Sequence, residues 1–457
     1  MASAPFSSQP TYSSRRAPHS LPVLGHALPL LRDPLGFLRS LPTHGDLVRI
    51  RVGPFRGVVV CDSELTRQLL LNDQTFDKGG PMFERLREFL GDGLGTCSHS
   101  QHRRRRRLIQ PAFQPARLSG YAEMMAAQID AATRSWREGQ RLDVLAEMLG
   151  LTARITVEAM FSRALSTQEL TNSVADLIAV SKGISRRAIT PPLADRLPTP
   201  GNRRYRHADT RLRQTVDRII DERRSGNVDR NDLLSTLLDA HASDAAAHGG
   251  LTNAEIREQV ISFFFAGAET TANLLAWTLH LIALHPDIEA RIHAEVDAVL
   301  GDTPAGLDHL ANLQFTSRVV TETLRLYPPG WIFTRTVTRS TELAGCSLTP
   351  GTTVIYSPYL IHRRSDLFDN PERFDPDRWD ASHRTQPPRE AFIPFGAGAR
   401  KCIGDQFGIT EAILALATIV ARWRLQPLPG QGVRPVPNVV LSPHGLFMRT
   451  TARTERT

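Results

Sequence analysis

Cysteine is scarce in this chain. Four are present among 457 residues (Cys61, Cys97, Cys346 and Cys402), and no two form a CxxC pair. Spacing therefore supports neither a zinc site nor a disulfide framework, and so few thiols in a long chain fit a reducing compartment. Long apolar runs are missing too: no stretch approaches the ~18 consecutive apolar residues that span a bilayer. The first twenty residues, MASAPFSSQPTYSSRRAPHS, are polar and rich in Pro and Ser. They fit no signal-peptide pattern and read as a flexible arm over residues 1–20, ahead of a single domain over residues 21–457. Gly and Pro number 31 each, well below a collagen-like or disordered share. No internal repeat is visible. The expectation is a soluble, cytoplasmic globular protein without a membrane anchor.

Basic residues are in excess, 55 Lys and Arg against 47 Asp and Glu, a formal charge of +8. Such a balance favours acidic partners: nucleic acid, an anionic surface or an acidic protein.

Residues 47–61 alternate in Val and Ile and predict a hairpin. From Ser63 to Leu300 helical periodicity dominates, as around Tyr121–Trp136 and Tyr205–Arg224. Residues 186–204 and 240–251 read as loops. Thr252 and Glu255 then form a capping box opening a helix of about 33 residues, roughly 50 Å long, that stops near Pro286. Its middle, Ile261 to Ala268, is apolar all round and should be buried on every side. Gly267 in mid-helix costs about 1 kcal/mol relative to Ala, so something must compensate for it. A helix ending at Tyr327 follows, then strands around Pro350-Gly351, a loop-rich stretch to Gly404, a helix over Asp405–Trp423 and short terminal strands. The fold class is mainly α with small β-sheets.

The segment Phe395-Gly396-Ala397-Gly398-Ala399-Arg400-Lys401-Cys402-Ile403-Gly404 carries the chemistry. A cysteine follows two cations and precedes a helix, an environment that lowers a thiol's pKa. This decapeptide resembles the haem-binding loop of the cytochrome P450 family, with Phe395, Gly398, Arg400, Cys402 and Gly404 at its fixed places. The resemblance runs from about Leu21 to Met448. It implies the P450 fold, with b-type haem between the long helix and this loop, and Cys402 as the iron ligand.

Other motifs of the family recur. Glu322-Thr323-Leu324-Arg325 matches Glu-x-x-Arg, 77 residues before Cys402. A second arginine completes a structural triad in the family. Arg373 and Arg378 both lie in suitable segments, and Arg378 fits the spacing to the cysteine better. Ala266-Gly267-Ala268-Glu269-Thr270-Thr271 resembles the oxygen-activation segment. There Gly267 would give dioxygen and haem room, Thr270 would hydrogen-bond dioxygen, and Glu269 would relay protons. His102 and Arg106 fall four apart in His102-Arg103-Arg104-Arg105-Arg106-Arg107, where the resemblance places haem-propionate ligands. Arg335 and Arg400 match further propionate positions, and the resemblance implies that Phe395 contacts the cofactor. Arg103, Arg104, Arg105 and Arg107 are left near the proximal surface, as docking groups for an acidic electron donor.

The resemblance implies a monooxygenase fed from NAD(P)H through a separate ferredoxin and ferredoxin reductase. Phe264, Phe265, Ala266, Trp331, Ile332 and Phe333 are expected to line an apolar substrate pocket. Leu24-Gly25-His26, Arg32-Asp33-Pro34-Leu35 and Tyr356-Ser357-Pro358-Tyr359 resemble soluble bacterial members that oxidise terpenes, among them tricyclic sesquiterpenes. A terpenoid substrate is therefore expected before a polyketide or fatty acid. A peroxide-driven member of the family is the nearest rival. A basic nucleic-acid-binding protein using the arginine run is a second, and it predicts salt-sensitive binding and no haem.

Overall fold

The computed structural model describes residues 12–162, 165–190, 192–226, 232–244, 251–301, 303–382, 387–430 and 432–453. The capping box forms as the sequence requires. The Thr252 side chain accepts from the Glu255 N–H, Glu255 returns the bond to the Thr252 N–H, and the helix runs over Asn253–Leu284. It stops at Leu284, two residues before Pro286, which opens the next helix, Pro286–Leu300. Its middle is buried among other helices, chiefly Val144–Phe161, Pro200–Gly226, Gln314–Leu326 and Asp405–Arg422.

A six-stranded mixed sheet forms the other part. Its order is Ser14–Arg16, Leu47–Val52, Phe55–Val60, Thr353–Tyr356, Phe333–Val337, Phe76–Lys78. The predicted hairpin pairs Leu47 with Val60 and Val52 with Phe55. Two hydrophobic cores result, one between helices and one on this sheet. Tyr327 and Phe333, on either side of the turn after Gln314–Leu326, pack against both.

Three expectations need correction. The arm is shorter than residues 1–20: Ser14–Arg16 pair in parallel with Leu47–Val52, and Ala17 is buried in the sheet core. Residues 1–11 lie outside the described residues. The stretch 186–204 is largely helical, with one helix continuing to Ile189, a 3-10 turn over Pro192–Arg196 and a new helix from Pro200. Pro192 and Pro200 begin these elements rather than abolish helix, as the first-turn position allows. Likewise a helix runs through to Asp244, inside the expected loop 240–251, of which residues 245–250 lie outside the described residues.

Candidate active site

The loop before the last helix is held by its own backbone. The Cys402 N–H donates to the Phe395 carbonyl at 2.9 Å, and Lys401 N–H to Gly398 at 3.1 Å. Gly398 is required here: its φ is +67°, and a Cβ would sit 2.6 Å from the Leu70 carbonyl oxygen. Cys402 stands three residues before helix Asp405–Arg422 and is the exposed cysteine of the four. The expectation of a low thiol pKa is not met by the protein alone. The protein that encloses the site pushes the Cys402 thiol up even though the side chain has an open surface, while the Gly404 N–H, Arg106 and nearby Lys78 pull the other way without prevailing.

The loop is ringed by cations. Arg106 donates to the carbonyls of Ala399 (3.2 Å) and Lys401 (2.5 Å) and to Gln110. Arg400 is buried and engaged on every nitrogen, by Asp73, Asp77 and the Cys97 carbonyl at 2.8–2.9 Å. It ties the loop to the segments ahead of helix His99–Ile109. Arg335 is different. It is only 3% exposed, yet its Nε and Nη1 have no hydrogen-bond partner. Lys78 lies directly across the strand pair from Arg335 and donates to the Gly95 carbonyl. Burial and its neighbours Arg335 and Arg400 push the Lys78 ammonium down to about 7. Buried His102 is pushed down to about 3 by desolvation and by Arg400, Lys78 and Arg106, so it is a neutral imidazole at physiological pH.

The helical period splits the arginine run. Arg103 and Arg107 are exposed and, with Arg106, His102 and Asp73, line a cleft of about 420 Å³ beside the loop. Arg105 is buried, and with Arg104 it grips Glu255 of the capping box at 3.1 Å. Arg105 thus braces the long helix and is no surface docking group.

Glu322 and Arg325 are fully buried. Arg325 donates Nε and Nη2 to Glu322 at 2.9 and 2.7 Å, and its remaining N–H groups reach the carbonyls of His362, Pro371 and Arg373. Glu322 also accepts from the Arg378 Nε (3.5 Å), Trp379 Nε1 (2.8 Å) and Asp375 N–H (3.1 Å). Arg378 therefore supplies the second guanidinium, while Arg373 contributes only its carbonyl.

On the long helix, the Thr270 hydroxyl donates to the Ala266 carbonyl at 2.6 Å. Glu269 accepts from the Ser181 hydroxyl at 2.6 Å, and its Oε2 is buried without a partner. Burial pushes Glu269 up to about 7, against the lowering effect of Ser181. Gly267 does not face the site. A Cβ there would lie 2.9 Å from Thr156 Oγ1, so the missing side chain serves close packing against Val144–Phe161. The adjacent Thr152 hydroxyl donates across the same contact to the Ala268 carbonyl at 2.7 Å. The long helix meets helix Asp405–Arg422 with Gly408 3.6 Å, by its Cβ position, from the Thr271 hydroxyl. That crossing sets the helix after the cysteine loop against the helix that carries Thr270.

Among the expected pocket residues, Ala266 is exposed in an otherwise buried stretch, and Phe264 and Phe265 are buried, Phe265 edge-on to Phe89 at 6.0 Å. Ile332 and Phe333 are half-buried, with Phe333 stacked on Tyr356. Trp331 departs from the expectation: it packs in the sheet core and donates its indole N–H to the Asn438 carbonyl at 2.8 Å. Phe395 is half-buried against the helical core.

Sequence reasoning missed three groups. Lys78 is one of only three lysines, with Lys182 and Lys401, a count that gave no hint of its place. Ser181 carries no motif. Glu411 is fully buried beside Thr271, and burial holds its carboxyl well above the ordinary range.

A dianionic cofactor carrying iron suits this donor set. Cys402 offers the sulfur ligand, Arg335 has two buried nitrogens without acceptors, and Lys78 and His102 add donors on the same side. Fold and site together define a haem-thiolate monooxygenase. The chain belongs to the cytochrome P450 family, whose model matches residues 16–450. Among curated proteins it is 45% identical over 449 residues to pentalenene oxygenase of Streptomyces avermitilis, covering 98% of this chain and 99% of that one. Cyclooctatin synthase of Streptomyces melanosporofaciens is 45% identical over 434 residues, covering 94% of each. Cyclooctat-9-en-7-ol 5-monooxygenase of the same organism is 44% identical over 420 residues, covering 92% and 91%. Among solved structures, the haem domain of cytochrome P450DA superposes with a TM-score of 0.86 at 27% identity, covering 97% and 99%. No described helix is long and apolar enough to cross a membrane.

Proposed function

We propose that this P450 hydroxylates a terpenoid hydrocarbon, in one step or several, using b-type haem held by Cys402. The observation that carries the cofactor assignment is Arg335, a buried guanidinium with two nitrogens lacking acceptors, placed across from Lys78 near the exposed thiol. Arg335, Lys78 and His102 would bind the propionates, and Arg106 would hold the loop through the carbonyls of Ala399 and Lys401. Arg400 acts one layer back, since its donors are engaged by Asp73, Asp77 and Cys97. The cofactor, once bound, supplies the redox chemistry of oxygen activation and transfer.

The chain's own task is to deliver protons and exclude water. Glu269, with its pKa near 7, is poised to give and recover a proton at neutral pH. Its Oε1 is held by Ser181 and Oε2 is free of partners. Thr270 stands one residue on, its hydroxyl proton parked on the Ala266 carbonyl. The buried phenylalanines Phe264 and Phe265 give the helix an apolar face with no fixed charge, suited to a hydrocarbon. The names of the three Streptomyces relatives support a terpenoid over a polyketide or fatty acid. Arg103 and Arg107 are suited to an acidic ferredoxin, which receives electrons from NAD(P)H through its reductase in the cytoplasm of a bacterium.

The test is spectroscopic. The purified protein, reduced and exposed to carbon monoxide, should give the red-shifted Soret band of thiolate haem, and Cys402→Ala should lose it. A panel of terpenes, fatty acids and polyketide lactones is then titrated into the oxidised form. Perturbation by fatty acids alone would overturn the terpenoid assignment. Turnover with peroxide but none with any ferredoxin–reductase pair would overturn the electron route.

A further inference from the structure

Around the cysteine loop most cations are already spent. Arg400 is held by Asp73, Asp77 and the Cys97 carbonyl, Arg104 and Arg105 by Glu255, and Lys401 by Asp405. Arg103 and Arg107 differ. Both are exposed, and neither guanidinium has an ion-pair or hydrogen-bond partner among the described residues. They stand four residues apart on helix His99–Ile109, so they share one face, where like charges repel. Arg106 adds to them. Its Nε and Nη1 are taken by Gln110 and the carbonyls of Ala399 and Lys401, and its Nη2 has no acceptor among the described residues.

These three arginines line the cleft of about 420 Å³ beside the loop. The rest of its wall is polar or small: His99, His102, Gln110, Asp73, Gly398 and Ala399. Asp73 is the single carboxylate there, and it is already engaged by Arg400 at 2.9 Å and His99 at 3.0 Å. Three guanidinium groups thus face a concave space without a counter-charge of their own.

A cleft of this volume falls in the range of small-molecule sites. Guanidinium forks grip phosphate oxygens in pairs. Arg103 and Arg107 lie about 6 Å apart along the helix axis, a spacing that suits two linked phosphoryl groups better than one. The wall has no Phe, Tyr or Trp on which a nucleobase would stack, and no apolar side chain beyond Ala399 to cover a hydrocarbon tail.

We infer that this cleft binds free inorganic diphosphate, gripped by Arg103 and Arg107 with Arg106 Nη2 beside them. Diphosphate is the leaving group when a hydrocarbon skeleton is made by ionising an allylic diphosphate. The ligand would then accompany the class of reaction that supplies a terpenoid hydrocarbon. That link rests on the terpenoid reading, whereas the site rests on its own charges.

The full-length holoenzyme is titrated with sodium diphosphate by calorimetry, at an ionic strength fixed with sodium chloride. One diphosphate per chain is expected, bound at least about tenfold more tightly than sulfate. Arg103→Gln and Arg107→Gln should each weaken it about tenfold. Arg204→Gln, which removes an exposed arginine of helix Pro200–Gly226, should not. All three side chains are exposed, so unchanged circular dichroism and melting temperature certify the fold. Equal binding of sulfate and diphosphate, or an equal effect of Arg204→Gln, overturns the inference and leaves only net charge. Tighter binding of ADP or NADPH than of diphosphate also overturns it, and assigns the cleft to a nucleotide. Bound diphosphate would cover Arg103 and Arg107, so it should slow reduction of the haem by a ferredoxin. Diphosphate binding that both variants weaken, with ferredoxin reduction unchanged in either, supports the site and counts against the donor reading alone.

Discussion

Replacing Gly267 by Ala separates two uses of one glycine. An alanine in mid-helix gains about 1 kcal/mol of helix propensity. Here its Cβ would meet Thr156 Oγ1 at 2.9 Å and Cγ2 at 3.1 Å. Thr156 cannot swing away cheaply, because it is buried in a helix and its hydroxyl donates to the Thr152 carbonyl at 2.8 Å. Nor can the helices separate freely, because Thr152 bridges them to Ala268. Overpacking of this kind costs roughly 1–3 kcal/mol. The net loss expected is about 1 kcal/mol. With an unfolding entropy of about 2.1 cal/mol/K per residue, 457 residues shift their midpoint by only about 1 °C for that loss. A double-mutant cycle in urea is therefore the better assay. Thr156→Ala removes both crowding atoms and leaves only a Cβ at 3.6 Å. In that background Gly267→Ala should become stabilising by about 1 kcal/mol, a coupling of about 2 kcal/mol. Equal effects of Gly267→Ala in both backgrounds would refute the packing argument. An alanine that leaves stability unchanged yet abolishes oxygen turnover would return Gly267 to the oxygen-room role.

Thr270→Ala should release peroxide in place of product, read as the ratio of oxygen consumed to substrate oxidised; unchanged coupling would place proton delivery elsewhere. Glu269 has a folded pKa raised to about 7, so its neutral form favours the native state below about pH 4 and that advantage is lost as pH rises through 7. Glu269→Gln should therefore be relatively more stable at pH 8 than at pH 4, by up to about 3 kcal/mol, and should slow turnover ~100-fold. Ser181→Ala removes the hydroxyl that favours charged Glu269, so the acid limb of the coupling profile should move to higher pH, with Ser181→Thr restoring it. Arg325→Lys cannot satisfy five acceptor contacts and should cost about 3–5 kcal/mol, seen as a lower urea midpoint. Arg335→Gln should weaken haem retention at least tenfold in transfer to apomyoglobin while leaving the apoprotein fold intact.

Local signals carried much of this fold. The capping box at Thr252, the stop before Pro286 and the alternation over residues 47–61 are short-range features, and each appears where the residues require. The Glu322–Arg325 pair and the choice of Arg378 over Arg373 were implied by the family resemblance, and the structure joins them within 3.5 Å. What depended on tertiary approach was not legible. Gly267 was expected to give dioxygen and haem room, and the Thr156 side chain that packs against it comes from a helix over one hundred residues earlier. Arg105 looked like surface because five arginines in a row must span both faces, and Glu255 decides which face is covered. Cys402 showed its cations in sequence but not its desolvation, which reverses the direction of the thiol shift. Lys78 and Ser181 carry no pattern; strand register and helix crossing alone bring them to Arg335 and Glu269.

Arg325 has a consequence for how this enzyme is free to vary. All of its N–H groups are spent on residues 322, 362, 371 and 373. The helices Thr167–Ile189 and Pro200–Gly226 lend no atom to that knot. Side chains on those helices can be exchanged, enlarged or trimmed without removing any hydrogen bond that Arg325 makes. Substitutions along those two helices thus leave one fixed point of the fold untouched.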